Sequence, residues 1–376
     1  MSNLDSALAA LSKCTLLLGV ATRPSPYRKL FFLPIAAICS YCYSSRVCED
    51  SIRIQVLLDV LTASDFILLT DVQRELRQIG QRESISSSGA GSRLKWALQL
   101  GFSPRGVGWM HEPKSILPPR PTHTRIEFLR SRFLWLSQAL IFMDIALFLS
   151  SIDPGFSTHA PLFHHQPLLW RFWATALFFF KTRLALTVGH IVCSMICVGI
   201  GISEPSSWPE FFGRWGEAYT IRRFWGRMWH QQLRRIFSVH GKFLAYRVFC
   251  FPPGSNASSY TQLYVAFLLS SIIHIVSFDV RPCQFFLTQA VVITLEDAII
   301  AVAQKYSERK VFMPFRVLGY MWVYCTLVLT LGPWFDTMNA VGANGYAGRS
   351  VLGLLCDGWI SGVPCTDARK AFILFW

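Results

Sequence analysis

Apolar positions along this chain gather in long runs, and the polar stretches between them are mostly basic. The runs cover about 7–21, 30–45 and 53–70, then 133–151, 167–202, 259–279, 283–303 and 311–332. A helix needs about 20 apolar residues to cross a bilayer, so the first two runs are short and the later ones are long enough. Lys181 and Arg183 interrupt the run at 167–202. The stretches 71–132 and 203–247 are both basic and belong on the cytosolic side. An even number of crossings must then separate them. That predicts an interfacial or re-entrant piece at 167–180 and a span at 184–202. The pattern as a whole predicts an all-α integral membrane protein. It would be a polytopic bundle of roughly eight transmembrane helices, with interfacial amphipathic helices. Residues 1–70 form N-terminal transmembrane helices, 71–132 a basic cytosolic loop, and 133–376 a membrane-embedded core. A weakly amphipathic segment at 349–364 lies in the tail.

Composition sharpens this. The 376 residues are 52% hydrophobic and only 15% charged, against roughly 25% charged in soluble domains. The net charge is +14. Because the basic residues lie between apolar runs, the charge reads as positive-inside loops and sites for anionic ligands. No Cys/His zinc pattern supports a nucleic-acid module, and no metal site is expected. Cys39 and Cys42, and Cys193 and Cys197, lie within apolar runs and read as buried thiols. Run 7–21 lacks a basic leader and reads as a first anchor and not a cleaved signal. Asp59 and Asp65 lie inside run 53–70, where a charge belongs toward the bundle interior.

Two stretches carry candidate chemistry. The first is Arg222-Arg223-Phe224-Trp225-Gly226-Arg227-Met228-Trp229-His230-Gln231-Gln232-Leu233-Arg234-Arg235. Read as one helix, it puts Arg223, Arg227, His230 and Arg234 on a cationic face. Trp225, Trp229, Leu233 and Ile236 fall on an apolar one. Such a helix suits a membrane interface, and periodicity alone leaves His230 either an ordinary polar residue or a reactive one. The second is Phe267-Leu268-Leu269-Ser270-Ser271-Ile272-Ile273-His274-Ile275-Val276-Ser277. Ser270, Ser271, His274 and Ser277 make a polar stripe on an apolar helix. An ionisable group at membrane depth faces protein or a water-filled cavity. Both a packing role and a functional role remain open for His274 on this ground.

The run from Tyr219 to Gln231 resembles the S-x-x-x-F-W-G-R-R-W-H/N-Q signature of the wax-synthase-like branch of membrane-bound O-acyltransferases. Thr220 stands where that pattern has Ser, and Met228 where it has a second Arg. Trp208-Pro209-Glu210-Phe211-Phe212-Gly213 resembles what precedes the signature in that family. The piece Ser103-Pro104-Arg105-Gly106-Val107-Gly108-Trp109 resembles a loop of its fungal members. The likeness runs over about 53–333. It departs from the family in having Ser270-Ser271 ahead of the buried histidine, where many relatives have Ser-Gly, and Ile275 after it, where some have Glu.

The resemblance implies an acyl-CoA-dependent O-acyltransferase, with 133–376 as its core. His274 matches the family's near-invariant histidine and is implied as general base. His230 matches the polar residue upstream, implied to donate to the oxyanion or orient substrate. Arg223, Arg227 and Arg234 would meet the phosphates of acyl-CoA, with Trp225 and Trp229 beside them, more as scaffold than as adenine-stacking rings. Ser270 or Ser277 could orient His274. Acetyl-CoA would be the co-substrate and no cofactor would be bound. The partners would be a hydrophobic alcohol and membrane lipid, with no nucleic acid. The fungal relatives acetylate terpenoid or meroterpenoid secondary metabolites, and the setting implied is the endoplasmic reticulum. Two alternatives stay open: a long-chain wax-ester synthase, and a transporter whose ion path runs by Asp59, Asp65, His274, Glu296 and Asp297. Against the transporter, the chain shows no inverted repeat.

Overall fold

A computed structural model describes residues 3–45, 48–275, 279–306 and 313–344. In chain order the α-helices are α1 (Asn3–Ala21), α2 (Phe32–Ser44), α3 (Asp50–Ala63), α4 (Val72–Glu75), α5 (Ala90–Gly101), α6 (Arg125–Ile152) and α7 (Leu168–Gly199). They continue with α8 (Ile221–Arg223), α9 (Arg234–Phe243), α10 (Asn256–Ile273), α11 (Arg281–Tyr306), α12 (Met313–Thr330) and α13 (Gly332–Ala340). Wider π-helical turns extend α3, α8 and α9, at Ser64–Leu69, Phe224–Met228 and Leu244–Val248. The described residues are helical with connecting turns and hold no extended strand. The tail segment 349–364 and Ser277 lie outside the described residues.

The chain divides into two compact units. Met1–Ile116 joins Gln231–His274 in the first, and Leu117–His230 joins Ile275–Trp376 in the second. In the first unit, Leu16 and Val20 of α1 pack with Ile35, Ala63, Phe66, Trp96, Leu100 and Trp109. The basic insert is therefore not an open loop here: α5 folds back and buries Trp96, Ala97 and Leu100. Asp59 is fully buried and paired with Lys13. Helix α2, of 13 residues, is shorter than a span.

The second unit begins with a capping box. The Thr124 N–H donates to Glu127 at 2.9 Å while the Glu127 N–H donates back to the Thr124 hydroxyl at 3.4 Å. The 28-residue α6 it starts exposes Phe133, Leu134, Trp135, Leu140, Ile141 and Phe142. An apolar flank of that extent suits hydrocarbon and not water. Among the described residues four helices are long and apolar enough to cross a membrane: α1, α6, α7 and α11. Helices α12 and α13 make a fifth if their pair, bent by 49°, counts as one span. Pro333 sits in the first turn of α13, where a missing N–H and a fixed φ turn the chain out of α12.

Helix α7 corrects the sequence expectation. It runs unbroken for 32 residues, about 48 Å at the helical rise, with no interfacial piece split off before Lys181. Groups of the protein itself lie against the two charges. Lys181 donates to the Ser150 hydroxyl at 2.8 Å and to the Asn344 carbonyl at 2.7 Å, and lies over the Phe156 ring. Arg183 lies over the rings of Phe212 and Trp215. With the charges met sideways, nothing forces the helix to end.

Candidate active site

The signature stretch starts with a cap. The Thr220 hydroxyl accepts from the Arg223 N–H at 3.1 Å, so Thr at this position does the capping that Ser would. Glu296 of α11, 5% exposed, supplies the rest. Its carboxylate accepts from the backbone N–H groups of Ile221 and Arg222, at 2.8 and 3.1 Å, and from Trp322 Nε1 at 2.9 Å. Asp297 beside it accepts from Arg222 Nε at 3.0 and 3.1 Å. A buried carboxylate thus receives the N–H groups that a helix start leaves unmet.

The stretch does not continue as one helix, and here the sequence reading is corrected. After the π-turn Phe224–Met228 the backbone extends at Trp229, with φ −67° and ψ 156°. The Trp229 N–H donates to the Phe224 carbonyl at 2.7 Å, and the Met228 carbonyl accepts from the Gly213 N–H at 2.9 Å. Trp229, 8% exposed, fits its ring among Phe179, Phe212, Phe224 and Trp225. Packing of that ring outweighs the weak helical preference around Gly226. The helical register that would put His230 and Arg234 on one face with Arg223 and Arg227 therefore does not continue past Met228.

Gly213 has to be glycine for this. A Cβ there would lie 2.1 Å from the Arg227 carbonyl oxygen, backbone against backbone. Gly213→Ala should destabilise the protein by about 1–3 kcal/mol, the usual cost of overpacking, seen as a lower melting temperature of the solubilised protein. An unchanged melting temperature would mean that the two strands of backbone part easily.

Within the second unit the signature arginines meet carboxylates. Arg223 pairs with Glu217 and lies over the Tyr219 ring, and Arg227 approaches the same Glu217 at 3.6 Å. Trp225 Nε1 donates to Gln289 at 3.3 Å. Ring contacts run unbroken from Phe163 through Phe335, Phe178, Trp334, Phe285, Trp225 and Trp229 to His230. His230 also faces Phe211 and Phe212, with ring centres at 5.7 and 6.1 Å. His190 of α7, absent from the sequence candidates, packs against Phe211 as well and donates from Nε2 to the Pro209 carbonyl at 3.1 Å.

The first unit holds the other histidine. Its α9 is gripped twice by the π-turn that ends α3. Arg235 approaches both oxygens of the fully buried Asp65, at 2.8 and 3.0 Å, and Thr70 donates to the same carboxylate at 2.7 Å. One residue earlier, Ser64 lies 2.6 Å from His240 Nε2. Arg234 donates to Gln231 at 2.8 Å. Helix α10 packs closely on α9 at Gly241, where a Cβ would lie 3.0 Å from Gln262 Cα. The fungal-type loop folds beside them. Trp109 meets Trp96 edge to face at 5.1 Å, and Gly106 and Gly108 adopt positive φ. Burial, with the nearby Arg235 charge, pushes His111 down to about 4, so it is neutral at physiological pH.

Helix α10 starts at Ser255, whose hydroxyl accepts from the Ser258 N–H at 3.2 Å, and ends one residue before His274. His274 is the helix cap and not a mid-span residue, which differs from the expected span at 259–279. Its Nδ1 is 2.7 Å from the Ser270 carbonyl. A carbonyl only accepts, so Nδ1 carries the hydrogen, and in the neutral ring the lone pair is on Nε2. Orientation of this imidazole comes from the backbone of Ser270 and not from its hydroxyl. The two candidate histidines belong to different units.

Known proteins resemble this chain along its length. The sequence profile of the membrane bound O-acyl transferase family matches residues 208–284, which hold both histidines. Acetyltransferase ple2 of Rhodocybe pseudopiperita is 33% identical over 375 residues, covering 96% of this chain and 98% of that protein. Acetyltransferase eriL of Hericium erinaceus is 31% identical over 350 residues, covering 89% and 90%. Acetyltransferase atnC of Arthrinium sp is 30% identical over 271 residues, covering 65% and 62%. No solved structure matches the chain. With its exposed apolar helices and a relative this similar from end to end, the chain is an integral membrane acyltransferase and belongs to the membrane bound O-acyl transferase family.

Proposed function

We propose that this enzyme transfers an acetyl group from acetyl-CoA to a hydroxyl of a terpenoid or meroterpenoid secondary metabolite. The observation that carries the reading is the 2.7 Å bond from His274 Nδ1 to the Ser270 carbonyl. It fixes the tautomer in which Nε2 accepts a proton, as a general base requires. The acceptor's hydroxyl oxygen attacks the thioester carbonyl while its proton passes to His274 Nε2. The tetrahedral intermediate collapses, the C–S bond breaks, and the proton returns to the departing thiolate. His230 donates to the oxyanion or orients the substrate. One such donor is worth about 3 kcal/mol in well-studied cases.

Arg223, Arg227 and Arg234 offer charge to the donor's phosphates. Arg223 and Arg227 share the single carboxylate of Glu217, which leaves them a net positive charge. Trp225 and Trp229 hold the segment through the aromatic chain. The name acetyltransferase borne by the relatives supports acetyl as the group moved, and the fungal-type loop at 103–109 supports the metabolite class. The same reading places the chain in the endoplasmic reticulum membrane with roughly eight crossings and the basic insert 71–132 in the cytosol.

Microsomes carrying the chain should transfer labelled acetyl from acetyl-CoA to members of a terpenoid-alcohol panel, with little transfer from palmitoyl-CoA. Palmitoyl transfer to fatty alcohols instead would replace the substrate by the wax-ester class. Transfer from neither donor, to either kind of acceptor, would contradict the reading.

A further inference from the structure

Arg183 stands sixteenth in the 32-residue α7, an apolar setting in which a charge is costly unless something receives it. Its neighbours do so only in part. The guanidinium carbon lies 4.3 Å from the Phe212 ring centre and 4.7 Å from that of Trp215. One terminal nitrogen is 3.7 Å from Met228 Sδ, and a thioether is a weak acceptor. Among the described residues no carboxylate forms an ion pair with it. Glu210 acts on it at longer range only and is itself bonded to Arg132 at 3.0 Å.

The contrast with the other arginines of this unit is chemical. Arg222 has Asp297, and Arg223 and Arg227 have Glu217. Glu217 and Trp215 belong to the same turn, Trp215–Glu217. That turn gives the two signature arginines one carboxylate to share but offers Arg183 only a ring. A guanidinium held over two aromatic rings is restrained in position, while rings leave its N–H groups without strong acceptors. That is the arrangement suited to bidentate recognition of a phosphate. The rim is open, since Trp215 is 61% exposed. Phe212, under Arg183, is also in ring contact with His230.

We infer that Arg183 binds a phosphate oxyanion of the acyl donor. This rests on the reading of the protein as an acyl-CoA-dependent transferase. A phospholipid headgroup carries the same chemistry, so the test separates the two sources.

Full-length protein in zwitterionic nanodiscs is titrated with CoA and with pantetheine, which lacks the nucleotide phosphates. Arg183→Gln should weaken CoA binding about tenfold or more, as loss of a charged hydrogen bond does, and leave pantetheine binding unchanged. Arg183→Lys should recover only part of the loss, because the planar fork is gone. Should Arg183→Gln fail to fold, Trp215→Ala at its exposed position takes its place, with a few-fold loss expected for CoA alone. Equal losses for CoA and pantetheine would overturn the inference as a general structural defect. Wild-type CoA affinity in Arg183→Gln would overturn it outright. A defect that appears only in nanodiscs containing phosphatidylglycerol would assign Arg183 to lipid and overturn it too. Wild-type protein that neither binds CoA nor transfers acetyl would remove the transferase reading and this inference with it. Acetyl transfer with an unchanged KM in Arg183→Gln would remove this inference alone.

Discussion

His274→Ala should abolish acyl transfer while the protein still inserts and folds. Loss of a general base costs roughly 10^2- to 10^4-fold in rate, which is about 3–5 kcal/mol of barrier. His274 caps α10 from outside the helix body, and its bond to the Ser270 carbonyl is with the chain's own preceding turn. An ordinary hydrogen bond of that kind contributes about 1 kcal/mol. The rate and the melting temperature should therefore separate: turnover falls below detection and the melt shifts by little. Wild-type turnover in this variant would take the base assignment away from His274. A protein that no longer inserts would show that the residue belongs to the packing.

Glu296→Ala is expected to do the opposite, damaging the fold first and activity through it. This carboxylate, 5% exposed, receives the N–H groups of Ile221, Arg222 and the Trp322 indole. Removing it leaves the buried Ile221 N–H without its acceptor, at about 1–3 kcal/mol, and takes the same partner from the less buried Arg222 N–H and Trp322 indole. The total should lie at the upper end of an ordinary point mutant's 0.5–3 kcal/mol or so. Glu296→Gln should fall between, because one amide oxygen remains while the amide N–H₂ group faces another donor. Asp297→Asn is the comparison, since its partner Arg222 is 44% exposed and such pairs contribute about 0–1 kcal/mol. Thermal melts of the three solubilised variants order them. Equal melting of Glu296→Ala and wild type would mean that another group caps the segment.

These two residues differ in how readable they were. His274 stood out as an ionisable side chain in an apolar run, a placement whose cost marks it without any coordinates. Glu296 and Asp297 stood out in the same way, yet the obvious reading of intramembrane carboxylates is an ion path. Only the fold shows that they meet the start of the signature segment, which precedes them by more than seventy positions. Thr220 was legible as a hydroxyl where the family has Ser, and the structure shows that it caps the segment.

The signature helix misled for a physical reason. Its spacing fits α-helix periodicity as far as Arg234, but periodicity describes which faces a helix would have and not whether the backbone keeps turning. Gly213 takes the Met228 carbonyl and the Trp229 ring enters an aromatic cluster. Both partners come from elsewhere in the chain. Lys181 and Arg183 misled in the other direction. A charge in an apolar run reads as a break, unless Ser150, Asn344, Phe212 and Trp215 are known to surround it.

The Ser64–His240 contact and the Asp65–Arg235 pair were legible only as a buried aspartate in need of a partner. The partner is about 170 residues away in the chain. What the sequence by itself determined is the membrane-embedded helical class and the family, and it nominated the two candidate histidines. Hydropathy and rare local motifs depend on residues close together in the chain. What only the tertiary structure decided is where the signature segment breaks, which arginines already have a carboxylate, and which carboxylates hold the segment in place. Each of these is a competition between backbone preference and contacts from distant segments, and in this protein the distant contacts are the stronger.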